Sequence, residues 1–256
     1  MIVHYLRKIK LPKINIDIDT MSYLTIGMTG ADIKNIVNIA GSSVISGNRA
    51  KITNMDIMNA YEQISMGLRK NNLNTKKTEL EKTAIHEAGH ALLSLLNEKA
   101  GNSLRLNKIT ILPVGDALGF CSFIPKENQK YLNEVELINQ MEVAFGGRLA
   151  EELIYGRESI TTGCSNDLAQ SYNIAKEMIY NLKMQNEGGP LSIDGEKMSV
   201  EQNNLLESKI HKISLEALKS ARSKLNVNID KLKKLADILI QKETLSSEEA
   251  RIILNI

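Results

Sequence analysis

The residues with the clearest chemical potential are His86-Glu87-Ala88-Gly89-His90. On a helix, histidines four positions apart project from one face. Two imidazoles so placed can take adjacent corners of a zinc tetrahedron, and Glu87 then stands where it can take a proton from an activated water. Only four histidines occur among 256 residues, and two fall in this pattern. The bland alternative is a pair of helical histidines beside a glutamate, but a chance match to three fixed letters in a chain this long is expected on the order of a few per cent of the time. A catalytic zinc site needs three protein ligands and one open position. His4 and His211 lie in segments without other chemical features, and His211 reads as part of an amphipathic helix. The carboxylate candidates are Glu151, Glu152 and Asp167. Asp167 follows a turn rich in Ser, Thr and Gly (residues 159–166), where a short side chain can be aimed tightly. Glu151 and Glu152 could equally be solvent-facing helix charges. The reading prefers Asp167 and leaves the other two open. The chemistry implied is amide hydrolysis, with Glu87 taking the water proton and returning it to the leaving amine.

The elements that must hold these residues follow from periodicity. Residues 78–97 read as one helix, with Thr78 and Glu81 in the form of a capping box and Ile85, Ala88, Leu92, Leu95 and Leu96 as its apolar stripe. Residues 106–112 alternate and stop at Pro113; Gly115-Asp116 turns the chain; residues 118–124 form a second strand that stops at Pro125. The two are expected to pair antiparallel. Gly119 leaves room for a backbone to approach, and an exposed edge there could hold an extended peptide, although plain sheet structure fits the spacing as well. Residues 133–155 read as one long helix or two joined ones. Gly146-Gly147 in its interior costs about 1 kcal/mol per glycine in helix propensity, which a close helix contact would explain. A further helix runs from about 165 to 183, with Asp167 in its first turn, where the unpaired amides favour a negative charge. Residues 185–199, with Gly188-Gly189-Pro190, read as a mobile loop. Residues 205–226 and 229–242 are amphipathic helices, and Ser246 caps a last short one. Upstream, residues 1–20 are short basic and apolar pieces broken by Pro12. Helices at 29–46 (Thr29 cap, Asp32) and from Thr53 (Asp56 in its first turn) make a small helical unit ending near 70. Polar residues 70–77 mark a boundary near 75. The fold class is therefore mainly α, with a small sheet in the second part.

Composition bounds the function. Apolar residues make up 43% of the chain, enough for buried cores, and the formal charge of +2 argues against a dedicated nucleic-acid surface. The absence of Trp and the presence of only three Phe leave few stacking platforms. Cys121 and Cys164 have neither zinc-knuckle nor redox-pair spacing and read as free thiols in a reducing compartment. The first residues do not form a secretory signal. No stretch reaches the roughly 18 apolar residues of a membrane span, so the chain by itself is expected to be soluble.

An ordered set of motifs resembles the membrane-anchored AAA proteases of the FtsH type, whose peptidase domain is family M41, and most of all the mitochondrial inner-membrane i-AAA branch. These motifs are His86–His90, Lys108–Pro113, Ala117-Leu118-Gly119-Phe120, Gly146–Gly156, Thr161–Asp167 and Lys242–Leu245. The resemblance implies that His86, His90 and Asp167 are zinc ligands, Glu87 is the catalytic base, and Ala117, Leu118, Gly119 and Phe120 line the cleft as a strand that binds unfolded substrate. Cys164 stands where the family usually has Ala; a thiol near the metal would make activity sensitive to oxidation. Residues 21–75 resemble the helical AAA lid, through Thr29-Gly30-Ala31-Asp32-Ile33 and Met66-Gly67, with Gly30 and Ala31 near the nucleotide. Residues 76–256 then form the peptidase domain, and 1–20 a linker or the end of an upstream AAA core. No phosphate-cradling G-x-x-x-x-G-K-[ST] occurs. ATP and magnesium would accordingly act only through an upstream core, and this part alone is expected not to hydrolyse ATP. The implied function is a zinc endopeptidase acting on unfolded or membrane-extracted proteins as a homo-hexamer, membrane-held through upstream segments, at the mitochondrial inner membrane or in a related organelle. The alternative is a silent assembly or adaptor module that kept the fold.

Overall fold

The computed structural model describes residues 1–10, 12–14, 16–25, 27–67, 76–98, 101, 104–115, 117–125, 131–184 and 199–256. The boundary expected at 70–77 falls mostly outside these residues, as do the loop expected at 185–199, except Ser199, and Asp116 of the expected turn. The chain divides into two compact units, one of residues 1–74 and 112–118, the other of residues 75–111 and 119–256. Among the described residues no helix is long and apolar enough to cross a membrane.

The first unit holds helix α1 (Ile2–Lys8), strand β1 (Lys13–Ile14), helices α2 (Ile18–Leu24) and α3 (Gly30–Ser46), strand β2 (Ile52–Thr53) and helix α4 (Asn54–Met66). Residues 1–20 thus carry regular elements: β1 pairs parallel with β2, Lys13 opposite Ile52. Thr29 caps α3 as expected. Its backbone N–H donates to Asp32 Oδ2 (2.9 Å), and Asp32 N–H donates back to Thr29 Oγ1 (3.3 Å). Thr53 and Asp56 form the same box on α4. Ile33, Ile36, Val37, Ala40, Val44, Ile57 and Ala60 are buried, so each of the two helices turns one apolar face inward.

The second unit is built around helix α5 (Lys77–Asn97), against which pack strand β3 (Leu104–Thr110), helices α6 (Glu134–Ala144), α7 (Gly146–Tyr155), α9 (Val200–Val227) and α10 (Ile229–Lys242). Strand β4 (Phe120–Pro125), helix α8 (Ser165–Lys176, continued by a π-turn over Glu177–Asn181), strand β5 (Thr244–Ser246) and helix α11 (Ser247–Leu254) complete it. Ala84, Ala88, Ala91, Leu92, Leu93 and Leu95 of α5 are fully or almost fully buried. The cap expected at Thr78 is not used: α5 begins one residue earlier, and Lys76 at its N-cap makes no side-chain bond. The sheet has the order β4-β3-β5 and is antiparallel throughout. β3 starts and stops two residues before the expected strand. Ile111 N–H instead donates to the Glu243 carbonyl just ahead of β5, an element the sequence reading did not anticipate. The region 133–155 is two helices that meet at Phe145. α9 starts at Val200, earlier than expected, because Ser199 and Gln202 form a capping box. Ser246 caps α11 as expected.

Candidate metal centre

His86 and His90 sit in the middle of α5, one turn apart, with their rings edge to face at 4.8 Å. Asp167 reaches them from the first turn of α8. The Nε2 atoms of the histidines are 3.1 Å apart, and Asp167 Oδ2 is 3.2 Å from one and 3.3 Å from the other. Zinc bonds of about 2.0–2.1 Å to nitrogen or oxygen place tetrahedral neighbours about 3.3 Å from each other. The three donor atoms therefore have the mutual spacing of three corners of such a site. Among the described residues this is the one cluster of His, Cys, Asp or Glu atoms that converges closely enough to hold a metal ion.

The rest of each ring is engaged in a way that frees these atoms. His90 Nδ1 lies 2.7 Å from the carbonyl oxygen of Val143 on α6. A carbonyl can only accept, so Nδ1 carries the proton and a neutral ring leaves Nε2 as the bare lone pair. His86 Nδ1 lies 2.7 Å from Glu151 Oε1 on α7, with the same consequence. Two lone pairs and a carboxylate oxygen that face each other repel unless a cation or proton lies among them, and the residues fit a divalent metal. Without one, a proton takes that place. Burial opposes charge on His86, but its hydrogen bonds to Asp167 and Glu151 and the nearby Glu87 carboxylate push its pKa up to about 10. Burial likewise raises Asp167, yet the two imidazoles win and hold its carboxyl well below the usual range.

Small residues make room for this arrangement. A side chain at Gly147 would lie on the His86 ring, 2.6 Å from Cδ2 and closer still to Cε1 and Nε2. One at Gly89 would meet Ala150 Cβ at 2.6 Å and the Gly146 backbone, so α5 and α7 touch backbone to backbone. This is the close contact that the Gly146-Gly147 pair suggested. Gly119 is packed on α5 as well; a Cβ there would fall 2.7 Å from Thr83 Cγ2 and 3.1 Å from Glu87 Cγ.

Glu87 is 6% exposed and points from α5 toward β4. Burial raises its pKa, an effect that His90 and His86 partly offset. Cys121 of β4 donates its thiol to the Glu87 carbonyl oxygen at 3.2 Å, and burial, reinforced by Glu87, pushes that thiol well above its ordinary value. Cys164 is buried and donates to the Thr161 carbonyl at 3.2 Å; it is outside the converging donor set.

The other candidates separate cleanly. Glu151 is 1% exposed and orients His86 rather than joining the three donors. Its ionised form is kept against the cost of burial by bonds from His86, from Thr161 N–H at 2.7 Å and from Thr161 Oγ1 at 3.0 Å. Glu152 forms a two-pronged ion pair with Arg222 of α9, at 2.9 and 3.0 Å. His211 is exposed on α9, and His4 lies in α1 of the first unit. Of the four residues assigned to a substrate strand, only Phe120 lies in β4; it is buried, with Lys108 Nζ 5.5 Å from its ring centre. Gly119 precedes it. Ala117 and the exposed Leu118 belong to the first unit, where Ala117 exchanges two 3.0 Å backbone bonds with Val114. Among the described residues β4 and β5 are the two outer strands of the sheet, and β4 begins at Phe120. Gly30 and Ala31 open α3 in the first unit, where a side chain at Gly30 would touch Met1 Sδ and Tyr5 Oη. Sequence reasoning had no access to the Val143 carbonyl, since every residue has one. The Thr161 role had a faint signal in the Thr-rich turn.

Comparison with known proteins adds an independent line. The model of peptidase family M41 matches residues 73–253. The chain is 34% identical over 242 residues to the ATP-dependent zinc metalloprotease FtsH of Neorickettsia risticii, covering 92% of this chain and 37% of that protein. It is 32% identical over 251 residues to the ATP-dependent zinc metalloprotease YME1L1 of Mus musculus, covering 98% of this chain and 34% of that one. Against the ATP-dependent zinc metalloprotease FTSH 11, chloroplastic/mitochondrial, of Arabidopsis thaliana, identity is 32% over 240 residues, covering 94% and 29%. The chain thus spans about a third of the length of these curated relatives. The helix bearing the paired histidines, the glycine contact beneath it and the distant aspartate all fall inside the matched region, and the chain belongs to peptidase family M41, as a member of the FtsH type.

Proposed function

We propose that this chain carries the peptidase centre of a zinc endopeptidase, with His86, His90 and Asp167 as metal ligands and Glu87 as general base. The observation that carries the reading is the approach of two Nε2 atoms and one carboxylate oxygen to within 3.1–3.3 Å, with both Nδ1 atoms already committed elsewhere. When bound, zinc would supply Lewis-acid polarisation of a water and of the scissile carbonyl, and positive charge opposite the developing oxyanion. The protein's own contribution is positional. Val143 and Glu151 fix the ring tautomers and aim the two imidazoles. Glu87, adjacent to His86 and almost fully buried, accepts the water proton at its carboxylate and passes it to the departing amine nitrogen.

The substrate class we infer is unfolded or membrane-extracted polypeptide, bound in extended form along the free edge of β4 by backbone hydrogen bonds. Residues 21–75 are assigned as the AAA lid, with Gly30 and Ala31 near a nucleotide bound by an upstream core. In the whole protein the activity would be ATP-dependent, hexameric and membrane-associated. The site inferred is mitochondrial or in a related organelle; the name of the Arabidopsis relative, chloroplastic/mitochondrial, supports an organellar location.

Zinc content and casein cleavage test the centre together. The chain should hold one zinc, and chelation should remove metal and cleavage in parallel. Glu87→Gln should keep the zinc and lose cleavage; Asp167→Asn should lose both. A Glu87→Gln protein that still cleaves, or an Asp167→Asn protein with undiminished zinc affinity, would defeat the assignment.

A further inference from the structure

We propose that Thr161 is a positioning residue for the metal centre, tying the turn that delivers Asp167 to the same carboxylate that orients His86. The inference rests on the ligand assignment above and adds a residue that does not touch the metal. Glu151 spends its two oxygens on both sides of the site. Oε1 accepts from His86 Nδ1 at 2.7 Å and from Thr161 Oγ1 at 3.0 Å, while Oε2 accepts from Thr161 N–H at 2.7 Å. The Thr161 hydroxyl also accepts from Gly163 N–H at 3.3 Å, capping the single 3-10 turn Thr162–Cys164. Cys164 closes that turn with its thiol on the Thr161 carbonyl, Ser165 Oγ donates to the Thr162 carbonyl at 2.7 Å, and α8 begins at once.

A buried carboxylate is held in place by its hydrogen bonds, and removing a partner leaves the charge under-satisfied and its position less tightly fixed. Glu151 is therefore placed jointly by α5, through His86, and by the turn, through Thr161. The Glu151 side chain joins His86 to the start of the turn that carries Asp167 through three hydrogen bonds, one from His86 and two from Thr161. Two ligands from elements far apart in sequence are thereby held in register before any metal arrives. The backbone N–H of residue 161 ties the turn to Oε2 whatever its side chain; the hydroxyl adds the second bond, to the oxygen that His86 also uses, and accepts from Gly163 at the same time.

Thr161→Val removes that hydroxyl while keeping the shape, and Thr161→Ser keeps it while removing the methyl. Zinc affinity is read by competition with a chromogenic chelator, and the ligand field by the absorption spectrum of the cobalt(II)-loaded chain. Thr161→Val should bind zinc about tenfold more weakly, the lower end of what loss of an orienting partner costs, and should show an altered cobalt spectrum. Thr161→Ser should match the unaltered chain in both. Metal-free Thr161→Val should keep its helical circular dichroism; if valine is not accommodated, Thr161→Ala gives the same readout. Unchanged zinc affinity in the hydroxyl-free variant would overturn the proposal, as would equal weakening in Thr161→Ser. Failure of the ligand assignment looks different: the unaltered chain would bind no zinc, or Asp167→Asn would bind it as tightly.

Discussion

Substituting Gly147 by alanine sets helix propensity against ligand geometry, and the two give opposite answers. In a helix with open surroundings, Gly→Ala stabilises by roughly 0.5–1 kcal/mol. Here the new methyl would lie 2.6 Å from His86 Cδ2 and nearer still to Cε1 and Nε2. Carbon atoms sit best about 3.5–4.0 Å apart, so the ring or α7 must retreat by about 1 Å. The ring is the end of a side chain and can swing; the chain still folds, at a cost of about 1–3 kcal/mol for the overpacked contact. Swinging the ring, however, moves Nε2 and strains the 2.7 Å bond from Nδ1 to Glu151. Metal sites tolerate ligand shifts of about 0.2 Å, several times less than this displacement. Zinc affinity should therefore fall by about 100-fold or more, beyond the usual effect of an orienting-partner mutation, while helical circular dichroism is retained. Chelator competition and thermal melting of the zinc-free chain measure the two quantities separately. A Gly147→Ala protein that binds zinc normally and melts higher than the unaltered chain would show that the close contact with His86 does not matter.

Two further outcomes follow from the charges. In the zinc-free chain the raised pKa of His86 stabilises the fold fully below its ordinary value near 6.5, and that stability is lost as pH climbs toward about 10. The depressed Asp167 contributes above about pH 3.9 and is lost on further acidification. The melting temperature of chelator-treated protein should thus drop between about pH 6.5 and 10, and His86→Gln should flatten that slope; zinc uptake should show the reverse trend, since the metal must displace the proton. Lys224 reaches from α9 to Glu142 Oε2 (2.5 Å) and Asn97 Oδ1 (2.8 Å), joining α6 and α5 behind the site. Glu142 is almost fully buried, so Lys224→Ala leaves its carboxylate leaning on the Asn97 Nδ2 donor at 2.8 Å, with no charge to offset its own. With Lys224 itself one-third exposed, the cost should be about 2–3 kcal/mol, below the full range for a wholly buried pair, and read as a lower denaturant midpoint. A midpoint unchanged from that of the unaltered chain would mean that the Asn97 bond is enough to hold Glu142.

Local chemistry determined much of this protein before any coordinates. The spacing of His86 and His90 on an amphipathic helix, the caps at Thr29, Thr53 and Ser246, and the demand of Gly146-Gly147 for a close neighbour are all short-range properties. They depend on helix geometry that neighbouring residues set among themselves. Tertiary structure decided what had to be assembled across distance. The residues alone favoured Asp167 only for its place after a tight turn, and left Glu151 and Glu152 open. Only the packing of α7 under α5 turns Glu151 onto Nδ1, hands Glu152 to Arg222 and leaves Asp167 alone facing the two Nε2 atoms. The Val143 carbonyl was silent for a related reason: a backbone atom acquires a role only when another element is brought against it. β5 escaped notice because three residues carry no period of their own, and β3 supplies the hydrogen bonds that make them a strand. A sequence fixes which groups can act and which face of an element they share; it is the burial of one element against another, through contacts tens of residues apart, that selects the partner each group meets.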